Sequence, residues 1–153
     1  MANELKNTLD QIKTDLGTIT GIQRVQLGQL VTAIPEATLD KCYGCVYMRQ
    51  GKIDYHTFTA AREIHLMEMR FYWLLQAATV EKVEQSMATM WDRLMTEFFG
   101  DDGDRNLSDK CTLALLGSDG GDWPYHTGYE TVGGKVHRVL VVPIEVTLDT
   151  HSV

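Results

Sequence analysis

The chain has 153 residues, is 44% apolar and 23% charged, and carries a formal net charge of −7. That length suits a single domain spanning residues 1–153, able to bury roughly 70% of the surface its unfolded chain exposes, so it needs no disulfide or metal staple. The acidic balance argues against a protein that coats a duplex or a membrane, since either calls for a basic surface, but it leaves room for an acidic channel through which DNA slides without sticking.

No apolar run approaches the roughly 20 residues of a membrane span. The polar, helix-prone start MANELKNTLDQIK lacks a signal-peptide core. Together these predict a protein made in and used from the cytosol, with no membrane contact. Three cysteines, an odd number, exclude a full disulfide framework. There is no internal repeat, no low-complexity segment and no interdomain linker.

Asn3–Leu16 predicts a first helix. Leu5, Leu9, Ile12 and Leu16 form a narrow apolar stripe, Asn3 can cap it and Gly17 can end it. Ile22–Leu27 alternates and suits a short strand or extended arm, followed by a proline-bearing loop over Ala33–Asp40. Lys41–Arg49 reads as a strand ending at a Gln50-Gly51 turn, with Lys52–Thr59 as its hairpin partner.

Ala61–Leu75 fits two periods. As a strand it sets Met67, Met69, Phe71, Trp73 and Leu75 on one face and Arg62, Glu68 and Arg70 on the other; as a helix it aligns Ile64, Met67, Phe71, Leu74 and Ala78. Met, Leu, Glu and Arg favour helix, whereas Phe-Tyr-Trp favours strand. The strand is the preferred reading, joined by the short link Gln76–Ala78 to the next element.

Thr79–Phe99 is the strongest amphipathic helix in the chain. Val80, Val83, Met87, Met90, Leu94 and Phe98 recur at steps of three and four, with Trp91 and Met95 widening the stripe. Thr79 can cap its start, and Gly100 fits the left-handed position past its end. Gly100–Ser108 is an acidic loop, Cys111–Leu116 a short apolar strand and Gly117–Gly128 a glycine-rich loop with an aromatic cluster. Tyr129–Val132 leads through a Gly133-Gly134 turn into a long closing strand, Lys135–Leu148, where Pro143 suggests an edge position or a bulge. The tail THSV is expected to fray. Two helices on one face of a mainly antiparallel sheet, an α+β fold in the order α-β-β-β-α-β-β, is the simplest packing that covers both helical stripes.

No catalytic motif is present: no G-x-S-x-G, no H-E-x-x-H and no phosphate-binding P-loop. Cys42-Tyr-Gly-Cys45 is the one C-x-x-C pair. Zinc needs two further ligands, which Cys111 and His56, His65, His126 or His137 can supply only without paired spacing. On a regular strand positions 42 and 45 also point to opposite faces, and no helix start follows Cys42 to lower its thiol pKa for redox work. Ordinary reduced cysteines in a sheet are the expected state. Asp101, Asp102 and Asp104 lack the order and the closing glutamate of an EF-hand and read as a solvated turn. No cofactor and no metal is expected. Trp123 and Tyr125, in GGDWPYH, suit either an interface anchor or packing back onto the core.

The order of elements resembles that of the tail terminator, or tail completion, proteins of long-tailed bacteriophages. The features that carry the resemblance are the helix ELKNTLDQIKTDL running into GIQRVQLG, the aromatic strand EIHLMEMRFYWLL leading into VEKVEQSMATMWDRLMTEF, and a glycine-rich loop with WPYHTGYE before the terminal HRVLVVPIEVTL. They span nearly the whole chain as a pattern, one shared in large part by other phage neck and head-completion proteins. The resemblance implies a non-enzymatic virion protein, made in the host cytoplasm and resident in the tail or neck. Its subunits close into a six-membered ring that caps the head-proximal end of the tail tube and joins it to the head connector, with genomic DNA passing through the lumen without sequence-specific contact. A heterologous ring needs two different complementary patches per subunit. Arg62, Glu68 and Arg70 are candidates for one, and the loops Ala33–Asp40 and Gly117–Gly128, with Trp123 and Tyr125, for contacts to a neighbouring ring. Ala33–Thr59 is longer than the simplest layout needs, which suits a hairpin or loop that reaches a partner. Two other classes compete: a metal-binding module on Cys42, Cys45 and Cys111, and a small binding domain with an aromatic loop.

Overall fold

The computed structural model describes residues 5–30, 41–55, 61–99, 107, 110, 111, 113–116 and 123–149. Within them the apolar periodicities become two α-helices and six strands. These are α1 (Leu5–Gly17), β1 (Ile22–Leu27), β2 (Cys42–Tyr55), β3 (Ala61–Leu74), α2 (Val80–Phe99), β4 (Leu113–Leu116), β5 (His126–Val132) and β6 (Lys135–Asp149). The fold is α+β, with the strands in the order β1-β2-β3-β6-β4 and β5 also paired to β6. All pairs are antiparallel except β1 with β2.

β3 is a strand, as preferred. It pairs with β2 along one side and with β6 along the other, from Arg62 opposite Asp149 to Leu74 opposite His137. Two complete ladders outweigh the helix propensity of its Met, Leu, Glu and Arg residues. Met67, Met69, Phe71 and Trp73 face the helices together with Leu140, Val142, Ile144, Val146 and Leu148 of β6. Ile12 and Leu16 of α1 and Val83, Met87, Met90, Leu94 and Phe98 of α2 close over that face to form the main core. Each of these large side chains contributes about 1.5–3 kcal/mol relative to exposure. The buried hydroxyl of Thr8 donates to the Lys110 carbonyl at 2.8 Å, tying α1 to the approach to β4.

Several expectations are corrected. β2 does not turn at Gln50-Gly51; it runs unbroken for 14 residues, and its hairpin partner is β3. Gly51 is a packing glycine, because a Cβ there would lie 2.7 Å from Nδ1 of His65 on the facing strand. The register shifts once, between Met48 and Gln50, leaving Arg49 as a bulge. Pro143 marks neither an edge strand nor a bulge. It sits opposite Glu68 in the unshifted β3–β6 ladder, where the other side of β6 changes partner, β5 reaching Val141 and β4 beginning at Ile144. A residue without an N–H fits that gap.

Thr79 stands directly before α2 and ends a short 3₁₀ turn, Ala77–Thr79, and its hydroxyl donates back to the Gln76 carbonyl. The apolar stripe of α2 begins at Val83, since Val80 is 47% exposed. His126–Gly128 belong to β5 rather than to a loop, and Cys111 precedes β4. Gly133 and Gly134 both take positive φ, 60° and 78°, the geometry of a tight two-residue hairpin between β5 and β6. Leu107, assigned to a solvated loop, is fully buried in the main core. Asn3, Ala33–Asp40, Thr57–Thr59, Gly100, the aspartates 101, 102 and 104, and the THSV tail lie outside the described residues.

Candidate functional site

Alternation along β3 puts Glu68, Arg70 and Tyr72 on the sheet face away from the helices, and the β2 ladder sets Tyr47 opposite Glu68. Glu68 is only 5% exposed. A carboxylate held there needs partners, and it has them. Arg70 Nε donates to Glu68 Oε2 at 2.8 Å, and Arg49 Nη1 from the bulge lies 3.5 Å from Glu68 Oε1. Arg70 Nη1 donates to Glu130 of β5 at 2.9 Å, and the Tyr72 hydroxyl donates to the same Glu130 oxygen at 3.2 Å. The Arg70 guanidinium also lies 5.8 Å from the centre of the Tyr47 ring. Burial works against the Arg70 charge, but the hydrogen bonds and negative charge around it outweigh that cost and raise its pKa. Burial likewise raises the Tyr72 pKa.

This network spans β2, β3 and β5, contains two cations and two carboxylates, and satisfies them among themselves. It reads as a device that fixes strand register more than one that adds stability. An open groove beside it is lined by Gln29, Tyr47, Met48, Arg49, Glu68 and Arg70. Glu68 and Arg70 are therefore brought together, while Arg62 is not part of the group. It pairs at 3.3 Å with Asp149, both side chains more than half exposed. Arg49, Tyr72 and Glu130 were not singled out from the sequence. Arg49 was concealed by the bulge, and Glu130 by a pairing 60 residues distant.

Trp123 and Tyr125 lie at the opposite edge of the sheet, beside β5. Trp123 is 80% exposed. Tyr125 packs on Trp91 of α2, ring centres 4.8 Å apart. One residue of the pair thus folds back and the other faces solvent. Nearby, Arg138 of β6 donates to Glu84 of α2 at 2.6 Å and to the Gly128 carbonyl at 3.0 Å, with its guanidinium 4.7 Å from the centre of the Tyr129 ring.

Cys42 lies in the core beneath the helices, whereas Cys45 belongs to the small apolar cluster on the other face with Tyr72, Val132, Val139 and Val141. Two thiols on opposite faces of one strand cannot ligate one ion. Cys42, Cys45 and Cys111 are free and buried. Burial raises the Cys42 thiol pKa and pushes that of Cys45 up to about 11, so neither is poised as a nucleophile. Among the described residues no group of three His, Cys, Asp or Glu side chains is placed to hold a metal, and no helix is long and apolar enough to cross a membrane.

No protein-family model matches this chain. No curated protein matches it either.

Proposed function

We propose that this chain is a structural virion protein of a long-tailed bacteriophage, a tail terminator whose ring caps the head-proximal end of the tail tube and joins it to the neck connector. The observation that carries the reading is the arrangement of elements: a leading helix, a strand beside the long β2–β3 hairpin, a second amphipathic helix, and a closing antiparallel set, with both helices on one face. That is the layout which the resemblance implies for a ring subunit. The polar network adds support of a different kind, since a rigid sheet with its charges internally satisfied suits a scaffold. Partners in this reading are further copies of the chain, the tail tube protein, the neck connector and the genomic DNA, which a strongly acidic subunit would let pass without electrostatic capture.

The test is capping. Purified protein added to growing tail tubes is expected to stop elongation at one end, visible as a terminal ring by electron microscopy. A native mass spectrum at high concentration is expected to show a species near six times the 17.3 kDa subunit. Tubes that terminate normally in the absence of the protein would sink the reading.

A further inference from the structure

The core stripe of α2 leaves two flanks. One carries Glu84 and Trp91, which meet Arg138 and Tyr125. The other carries Lys82, Gln85, Thr89 and Arg93 at steps of three and four, with Ser86 beside them, so these side chains share one line along the helix. That line faces the turn between α1 and β1 across a cleft of about 320 Å³, with the buried Trp73 and Met90 at its base and Gly21 on the far wall. The volume is at the small end of the range for ligand sites, and an apolar base with a few polar groups above it is their usual make-up.

Arg93 crosses this cleft. Its Nη1 donates to the Thr20 carbonyl at 2.5 Å. Gly21 permits the approach: its φ is 97°, and a Cβ there would lie 2.8 Å from the same Nη1. A guanidinium has five N–H donors, and this bond uses one of them. Two carboxylates stand near it in sequence, Asp92 beside it and Glu97 one turn further on, yet among the described residues Arg93 forms an ion pair with neither. Both acids line a second cleft on the other side of Arg93, with Ile19 and Thr20. Among the described residues no carboxylate lines the first. Lys82, at its far end, already has a partner; Arg93 is the cation that does not, and it is partly buried. A charge in that position is disfavoured until a counter-charge completes it. The Gln85 amide and the Ser86 hydroxyl on the same wall also make no hydrogen bond among the described residues. Thr89 differs, because its hydroxyl donates to the Gln85 carbonyl at 3.0 Å.

We propose that the cleft between α2 and the α1–β1 turn binds a small phosphate, free or as a monoester, through Arg93, Ser86 and Gln85. The remaining guanidinium donors form a charged fork suited to an oxyanion. A carboxylate offers two oxygens in one plane, whereas a phosphate offers three or more in different directions, which suits donors that come from separate turns of a helix. The apolar base excludes water from one side of the ligand and strengthens each contact made above it. Thr20 and Gly21 hold the guanidinium in place before the ligand arrives, so little of its freedom is left to lose on binding. The site lies apart from the charged network on the second sheet face and does not depend on the tail reading.

The test is calorimetric titration of the full chain at low ionic strength with inorganic phosphate, with glycerol phosphate and with acetate. Saturable binding of a phosphate is expected, with acetate weaker by about tenfold. Tighter binding of inorganic phosphate assigns the free ion, and tighter binding of glycerol phosphate assigns a monoester. Arg93→Gln is expected to weaken binding by about tenfold or more. Because that change also removes the bond to Thr20, Ser86→Ala with Gln85→Ala is the second variant; both positions lie outside the core, so the melting temperature should hold while affinity falls by about fivefold. Three results overturn the proposal: no saturable binding of either phosphate up to about 10 mM, acetate binding as tightly as phosphate, or unchanged affinity in the double variant.

Discussion

Cys42–Val46 and Met48–Tyr55 belong to one strand and pair with the same neighbour, yet every residue of the first segment is buried and every residue of the second is exposed. The backbone ladder is equally present in both. What differs is the surroundings. The first half has β1 alongside and shares the core with α1 and α2, whereas the second half has β3 as its paired neighbour among the described residues. Pairing alone does not bury a strand. The two halves of one strand therefore differ in kind: one is part of the core, and the other is surface.

The largest expected effect separates these halves. Phe71→Ala, opposite Gly44 in the buried half, should cost about 3–5 kcal/mol in urea unfolding, while Ile53→Ala in the exposed half should stay within about 0.5 kcal/mol. Equal losses would mean that the exposed half is part of the folding core after all. Next comes the charge network that borders the two. Arg70→Ala leaves Glu68 buried with only the more distant Arg49 beside it and should cost about 3 kcal/mol. Glu68→Leu combined with Arg70→Met should cost less than Arg70→Ala, because no buried charge is then stranded; a double-mutant cycle reads the coupling.

Smaller effects sharpen the boundary. Gly51→Ala forces the His65 ring aside and should cost about 1 kcal/mol, with most of that loss absent when His65→Ala is already present. The smallest effect is a pH dependence at the buried end. Burial lowers the His137 pKa from its ordinary value of 6.5, only partly offset by the hydrogen bond of Nδ1 to the Lys135 carbonyl. The unfolded chain then binds the proton more readily than the folded one. Stability from this residue is full above the unfolded value and falls as pH drops below it, down to the lowered folded value. The melting temperature between pH 7.5 and 5 should decline less steeply for His137→Gln; an unchanged slope would remove His137 as the cause.

Periodicity over long segments was readable without coordinates. The stripe of α2 from Val83 to Phe98 was legible directly, and the alternation of Met67–Trp73 was visible as one of two possible periods, which the ladders to β2 and β6 decided. The Gly133-Gly134 turn was legible because paired glycines take two successive positive φ values without strain. Gln50-Gly51 has the same outward look and is not a turn, because the space this glycine vacates is filled by His65 from a strand that no local pattern could locate. Of the candidate interface residues, Glu68 and Arg70 were visible as charges on the second face of β3, but their internal satisfaction was not, since Arg49 and Glu130 arrive from other strands. Trp123 and Tyr125 were visible as a pair; their division into one exposed ring and one packed on Trp91 was not.

The amino-acid sequence by itself determined which residues are apolar together, and hence the two helical stripes, the long alternating strands and the α+β class, because periods of 3.6 and 2 are local properties of the backbone. Only the tertiary structure decided which stretch of β2 is covered, where Pro143 can be accommodated and whose carboxylates Arg70 binds. Those depend on neighbours tens of residues away in the chain, and it is the neighbours, through burial and pairing, that decide whether the same chemistry becomes core or surface.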